Sequence, residues 1–146
     1  MSKSWANPTW FLFHTLIEKI NPEQYIIMKH DVLKHIKKIC SMLPCPDCAQ
    51  HATQFMNTIR DPPGTKEECK NLLFFFHNIV NTRINKPLYE YSALSMYERV
   101  NLTVCYKLFR EQFLKKTHNP KMFLESMIRT RYIQELDTWL QQNKLI

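Results

Sequence analysis

The chain has 146 residues, of which 45% are hydrophobic, and this suits one domain with a buried core. Its single glycine, Gly64, excludes the glycine-rich phosphate loops of Rossmann and P-loop folds. The net charge of +7 is typical of lysines on solvated helix faces. An anionic cofactor, acidic partners and nucleic acid are the alternatives, although no nucleic-acid recognition motif is present. No segment has the length and apolarity of a transmembrane helix or signal peptide, so we expect no membrane partner.

Hydrophobic periodicity predicts six helices in chain order. They cover about residues 8–19, 22–42, 45–59, 66–84 and 95–116, and a sixth begins at Asn119-Pro120. Asn-Pro pairs or capping boxes start most of them: Asn7-Pro8, Asn21-Pro22, Thr65 with Glu68, and Ser95 with Glu98. The apolar run 72–76 would also suit a buried strand, but the preceding cap and the spacing after it favour a helix. We therefore predict an all-α helical bundle.

The strongest signal for chemistry is the motif Cys45-Pro46-Asp47-Cys48 at a predicted helix start. The N–H groups and dipole of a first helical turn stabilise thiolate and lower the pKa of the cysteine nearest the helix end. This favours thiol–disulfide exchange, in which a thiolate attacks a disulfide sulfur. A thioredoxin-like protein would need a β-sheet around the motif, which this chain does not offer.

A zinc site is the main alternative for the same residues. Cys40, Cys45, Cys48 and His51 have the right ligand types, although their spacing is irregular for a zinc module. This alternative would make the protein a zinc-binding helical adaptor. Cys69 and Cys105 stand alone, and this cysteine pattern suits a reducing or mixed compartment better than a secreted domain.

Two residue pairs with helical spacing favour redox chemistry over a zinc site. Trp10 and His14 share one face of the first helix, and His77 and Asn81 share a face of the fourth, with Asn78 beside them. Either pair alone is as readily explained by core packing. Together they suggest a bundle interior with an aromatic plate, two imidazoles and two amides, which would suit a planar heteroaromatic ring with polar edges, such as a flavin.

The chain resembles the Erv/ALR family of FAD-linked sulfhydryl oxidases, especially the compact forms of large DNA viruses. Three blocks carry the resemblance: the Trp-x3-His pattern of Trp10 and His14, the Cys45–Cys48 motif, and the stretch 77–87, which matches HNxVNxxxxKP. The resemblance implies a four-helix bundle with a short fifth helix, in a core of about residues 5–98. Residues 99–146 would then add a C-terminal helical extension to a single domain spanning 1–146.

The resemblance also implies roles for single residues. Cys45 and Cys48 would be catalytic, with Cys48 against the flavin of FAD. The other residues that it implies as FAD contacts are Trp10, His14, His77, Asn78, Asn81 and Lys86. The family often has a tryptophan that stacks on the cofactor near the fifth helix. This chain lacks that tryptophan, and Tyr97 is the nearest aromatic residue that would take its place. Electrons would pass from protein dithiol substrates through the cysteines to FAD and then to molecular oxygen, which becomes hydrogen peroxide. A homodimer in the host cytoplasm or virion is expected, if the source is viral.

The chain departs from the family pattern at several positions. Asn7 stands where an arginine is common, and Tyr91 stands where cellular members have a structural cysteine. Cys69 therefore has no evident partner, and we expect it to be a buried thiol. No second CxxC is present to act as a shuttle, and Cys40 and Cys105 are expected to be core cysteines rather than its substitutes.

Overall fold

Six α-helices and one 3₁₀ helix form the structure, a computed structural model that describes residues 3–115 and 123–146. In chain order they are α1 (Ala6–Lys19), α2 (Pro22–Ser41), α3 (Pro46–Met56), α4 (Lys66–Arg83), the 3₁₀ helix (Tyr91–Arg99), α5 (Leu102–Phe113) and α6 (Phe123–Gln142). The described residues contain no β-strand, and the apolar run 72–76 lies within α4. The predicted all-α fold is confirmed.

Two helices start at the capping side chains that the sequence predicts. Asn21 Oδ1 accepts the N–H of Gln24 at 2.7 Å at the start of α2. Thr65 Oγ1 accepts the N–H of Glu68 at 3.1 Å at the start of α4. Each bond satisfies one of the N–H groups that have no intrahelical partner in the first turn.

The predicted start of α1 at Asn7-Pro8 is wrong, because the helix begins at Ala6 with Trp5 as its N-cap residue. The Ala6 N–H bonds the Lys3 carbonyl at 3.0 Å, and the Thr9 N–H bonds the Trp5 carbonyl at 3.1 Å, so the first turn starts ahead of Asn7. Pro8 then falls inside that turn, where a missing N–H costs nothing.

The predicted fifth helix is also wrong in its start and extent. Residues 95–99 belong to the 3₁₀ helix, in which the Ser95 hydroxyl donates to the Ser92 carbonyl at 2.9 Å and so does not cap a following helix. Instead, Asn101 caps α5, accepting the N–H of Val104 at 3.0 Å.

Two further predicted boundaries concern α3 and the sixth helix. α3 ends at Met56, short of the predicted residue 59. The predicted sixth-helix start, Asn119-Pro120, lies outside the described residues.

α1 is the central helix and packs against α4, the 3₁₀ helix and α5, while α2 packs against α3. Four apolar side chains of α1 lie in this core and are at most 3% exposed: Leu12, Phe13, Leu16 and Ile17. Burial of such side chains supplies most of the driving force for folding. The position of α1 also brings Trp10 and His14 next to α4.

α6 lies against α2 and α5 through its side chains. Tyr132 Oη is 2.7 Å from His35 Nδ1 of α2, and Trp139 Nε1 donates to Asp31 Oδ2 of α2 at 3.3 Å. On the other side, the Tyr106 hydroxyl of α5 donates to Asp137. Together with the buried Ile133, Leu136 and Leu140, these bonds make the C-terminal helix part of the hydrophobic core.

Three cysteines outside the CxxC motif are buried thiols, as expected: Cys40, Cys69 and Cys105. Burial raises the pKa of Cys40 to about 12, and those of Cys69 and Cys105 to about 11. Because the thiolate is the reactive form, these sulfurs are poorly suited to thiol–disulfide exchange.

None of the helices in residues 3–115 and 123–146 has the length and apolarity needed to cross a membrane.

Candidate active site

A cavity of about 380 Å³ lies between the start of α1, α3, the second half of α4 and the segment that follows α4. One part of its wall is aromatic, formed by Trp10, Phe13, Phe55 and Phe76. The polar part includes five further side chains of the same wall: Cys48, His51, His77, Asn81 and Arg83. Lys3 and Lys86 add two cations at its edge. Five of the predicted site residues therefore share one cavity: Trp10, Cys48, His77, Asn81 and Lys86.

The aromatic wall is built around a stack between α1 and α4. The ring of Trp10 lies on that of His77, with centroids 3.9 Å apart and planes at 5°. His14, one helical turn after Trp10, has its Nε2 3.0 Å from His77 Nδ1. The two predicted helical pairs thus meet each other across the α1–α4 interface.

Both imidazoles of this interface are held in the neutral form. Burial lowers the pKa of His14 to about 3, with a further contribution from His77. Burial also lowers the pKa of His77 to about 4, and the nearby Lys86 adds to this effect. A neutral imidazole has one N–H donor and one acceptor nitrogen, so a single proton between His14 and His77 satisfies both atoms.

Two predicted cofactor residues, His14 and Tyr97, lie behind the cavity wall. The Tyr97 ring stacks on His14 with centroids 4.7 Å apart, and both residues border a separate cleft of about 10 Å³. Burial raises the pKa of Tyr97 to about 12. His14 contacts His77 directly and Tyr97 packs on His14, so both residues support the wall from the side of the core.

The amides of Asn78 and Asn81 hold the segment that follows α4. Asn78 accepts the N–H of Tyr89 at 2.9 Å and donates to the Tyr89 carbonyl at 3.1 Å. Asn81 donates to the Pro87 carbonyl at 3.3 Å. Asn81 also lines the cavity, whereas Asn78 does not and is joined to it through its bonds to Tyr89, which is itself a cavity residue. Both amides therefore shape the rim of the cavity through backbone atoms.

The end of α4 sets the position of Lys86. Asn85 adopts a left-handed conformation with φ of 58°, and the Lys86 N–H returns to the Asn81 carbonyl at 2.8 Å. The Asn85 N–H bonds the Thr82 carbonyl at 3.3 Å, which completes a Schellman motif. Asparagine tolerates this conformation better than most residues do. The turn places Lys86 beside the cavity instead of continuing the helix.

The two cysteines of the motif occupy different positions. Cys45 is the N-cap residue of α3, and its Sγ accepts the N–H of Cys48 at 3.3 Å. Cys48 lines the cavity and its Sγ accepts a hydrogen bond from Lys3 Nζ at 3.2 Å. Burial and the neighbouring Cys45 raise the pKa of Cys48, while Lys3 opposes this shift.

The residue between the cysteines anchors α3 to α4. Asp47 Oδ2 is 2.6 Å from Arg83 Nη2, and Asp47 Oδ1 is 3.6 Å from His51 Nε2. Cys40, Cys48 and His51 line the same cavity, but the described residues include no group of three metal-ligating side chains close enough to hold an ion. The geometry therefore gives no support to the zinc alternative.

The match to a family model settles the family. Residues 7–101 match the model described as the Erv1 / Alr family, which is more than half of the chain. The chain belongs to the Erv1/Alr family. The matched residues include the two cysteines of the CxxC motif, the Trp10–His77 stack and the end of α4, whereas α5 and α6 lie beyond them.

Curated relatives in the Erv1/Alr family are distant in sequence. The chain is 27% identical over 81 residues to the FAD-linked sulfhydryl oxidase ERV1 of Oryza sativa, covering 56% of this chain and 42% of the relative. It is 28% identical over 99 residues to the putative FAD-linked sulfhydryl oxidase 096R of Invertebrate iridescent virus 3, covering 66% of each chain. An FAD-linked sulfhydryl oxidase of African swine fever virus is 29% identical over 72 residues, 49% of this chain and 60% of the relative. The chain thus spans between two fifths and two thirds of these relatives' lengths. No solved structure matches the chain.

Several cavity residues of this family member were not predicted from its sequence. They are Lys3, Trp5, Phe55, Arg83 and Tyr89. Arg83 is the one with a usable signal, since it lies two residues after Asn81 on the predicted fourth helix and within the resemblance block. Lys3 and Tyr89 lie outside predicted helices, where periodicity says nothing about which way a side chain points.

Proposed function

We propose that this protein is an FAD-dependent thiol oxidase that forms disulfide bonds in protein substrates. The observation that carries the proposal is the position of Cys48, which shares one cavity with the stacked Trp10 and His77. Because one sulfur of this helix-start dithiol lies in an aromatic-walled cavity, electrons could pass from it to a flavin held there. The names of the relatives, which are FAD-linked sulfhydryl oxidases, support the same activity.

The cavity fits FAD by the chemistry of its walls. The flat aromatic surface of Trp10 suits a planar ring, and buried neutral His77 offers a hydrogen-bonding nitrogen. The side chain of Lys86, which also lines the cavity, supplies positive charge for a pyrophosphate. We propose Trp10, Cys48, His77, Asn81 and Lys86 as direct FAD contacts. His14, Asn78 and Tyr97 would act by holding these residues and the rim.

The cysteines would act in sequence. A substrate thiolate attacks Cys45 Sγ of the oxidised motif, and the Cys45–Cys48 bond breaks with its electron pair on Cys48. A second substrate thiolate then attacks the substrate sulfur of the mixed disulfide, which releases Cys45 and leaves the substrate oxidised. FAD, when bound, accepts the two electrons of the reduced motif and passes them to molecular oxygen as hydrogen peroxide.

Absorbance and oxygen consumption of the purified protein test this function. We expect a yellow protein with a flavin band at about 450 nm that consumes oxygen and releases peroxide when given dithiothreitol. Cys48→Ser should abolish turnover, whereas Cys69→Ala, which alters a buried thiol away from the cavity, should retain it. A folded, colourless protein that contains zinc would refute the proposal.

We also propose that the protein acts as one domain of residues 1–146 and as a homodimer. The family resemblance supports the dimer, as do large apolar side chains left exposed, such as Ile27 at 84% and Phe75 at 59%. Viral relatives support a location in the host cytoplasm or the virion. Light scattering would contradict the dimer if it gave the mass of a monomer at protein concentrations well above micromolar.

A further inference from the structure

Lys3 reaches the reactive sulfur from the segment that precedes α1. Its Nζ donates to Cys48 Sγ at 3.2 Å, and its side chain lines the cavity. The residue precedes the family match, which begins at residue 7, so it is a feature of this chain outside the matched region. We propose that the Lys3 ammonium stabilises the Cys48 thiolate during thiol oxidation. This inference rests on the proposed oxidase function.

Cys48 needs such a partner because its surroundings favour the thiol. Burial is the largest cause that raises its pKa, and the hydrogen bond and charge of Cys45 act in the same direction. In the proposed reaction the Cys45–Cys48 bond breaks with both electrons on Cys48 Sγ. A leaving thiol with a lower pKa departs faster, so a cation at this sulfur would assist the step.

Lys3 also keeps the proton that makes it a cation. The hydrogen bond to Cys48 raises the pKa of the Lys3 ammonium and outweighs the opposing effects of burial and Arg83. The ammonium therefore holds its proton more firmly than an ordinary lysine side chain does. It donates a hydrogen bond to Cys48 Sγ and places a positive charge beside that sulfur. The proposed role does not require Lys3 to give up a proton.

The other charged groups near Cys48 have different partners. Arg83 of α4 pairs with Asp47, which is also approached by His51 of the same helix. The remaining groups are Cys45, which accepts the Cys48 N–H, and Lys86, which stands at the cavity edge. Among the residues that the structure describes, Lys3 is the only cation hydrogen-bonded to Cys48 Sγ.

The pH dependence of Cys48 alkylation tests the proposal directly. We would place Lys3→Gln, Lys3→Arg and the control Lys107→Gln in a Cys45→Ser background, and follow iodoacetamide labelling of Cys48 by peptide mass spectrometry. Lys107 is an exposed lysine of α5 that does not line the cavity, so its variant removes one charge outside the site. This labelling does not require bound FAD, and the proposed function is tested separately by flavin content and peroxide release.

We expect Lys3→Gln to move the labelling midpoint upward by about 0.5 to 1 pH unit. Lys3→Arg and Lys107→Gln should keep the midpoint within about 0.2 unit of the Cys45→Ser parent. The shift should shrink at about 1 M salt, where screening acts over about 3 Å. An unchanged midpoint in Lys3→Gln, in protein with an unaltered thermal midpoint, would overturn the proposal. So would an equal upward shift in Lys3→Arg.

Discussion

Arg83 Nη2 of α4 lies 2.6 Å from Asp47 Oδ2, the carboxylate between the two cysteines of the CxxC motif. The ion pair therefore joins the reactive turn of α3 directly to the last turn of the helix that carries His77 and Asn81. The Asp47 side chain is 70% exposed and that of Arg83 is 33% exposed. Solvent screening weakens a pair of this kind, so its value lies in orientation more than in stability.

A double-mutant cycle on Asp47→Asn and Arg83→Gln should measure this pair. We expect a coupling free energy of about 0.3 to 1 kcal/mol from urea unfolding, because exposed ion pairs rarely contribute more. The coupling should fall at about 1 M salt. A coupling well above this range, insensitive to salt, would mean that the pair is more buried than its geometry implies.

The neutral His14–His77 pair predicts a loss of stability on acidification. Both folded pKa values, about 3 and about 4, lie below the ordinary value of 6.5. Below pH 6.5 the unfolded chain therefore binds protons that the folded chain does not, and the free energy of unfolding falls as the pH is lowered towards 4. Urea unfolding at several pH values should show this slope.

His14→Gln should flatten part of that slope, since it removes one buried titrating group. The control variant is His30→Gln, which replaces an exposed histidine of α2 outside the buried pair. His35, whose pKa is also lowered by burial, accounts for part of the remaining slope. Identical slopes for the parent and His14→Gln would show that the imidazole pair is not held neutral.

Lys86→Ala should weaken FAD binding more than it slows chemistry on bound flavin. An ammonium that meets a pyrophosphate contributes the same binding energy before and after electron transfer. We expect the FAD dissociation constant to rise about tenfold and turnover at saturating FAD to change less than about twofold. Lys107→Ala is the charge-matched control. A large loss of turnover with unchanged FAD affinity would contradict this role.

The unequal positions of the two cysteines predict different spectra for their serine variants. Because Cys48 lines the cavity, its thiolate in Cys45→Ser should donate charge to the flavin and give a broad long-wavelength band. The band should titrate with Cys48. In Cys48→Ser the remaining sulfur lies at the helix N-cap, and we expect no band. A band that appears only in Cys48→Ser would reverse the assigned roles.

Helix starts could be predicted where one polar side chain had no competitor. Asn21 and Thr65 cap as their positions indicate, because each precedes a long periodic segment. Ser95 has the same kind of signal, but its hydroxyl bonds inside the 3₁₀ helix, and Asn101 caps α5 instead. Two nearby start signals compete for one helix, and local spacing alone does not decide between them.

The sequence allowed us to predict which residues of the candidate site meet. It did not allow us to predict which of them face the cavity. Trp10 and His77 stack as a shared aromatic wall, whereas His14 lies one layer deeper. The spacing of four residues puts Trp10 and His14 on one helix face but leaves their depth open. Lys3 could not be predicted, because it precedes the first predicted helix, where periodicity does not say which way a side chain points.

Because the turn at Asn85 is left-handed, a mutational library should show a strong preference for certain side chains at this position. Glycine adopts a positive φ without steric cost, so Asn85→Gly should be tolerated and could even be enriched. A β-branched residue such as valine is strained there and would favour a different path out of α4. That path would carry Lys86 away from the cavity, so a substitution at a residue with no chemical role of its own would be recovered among the variants that lose their colour.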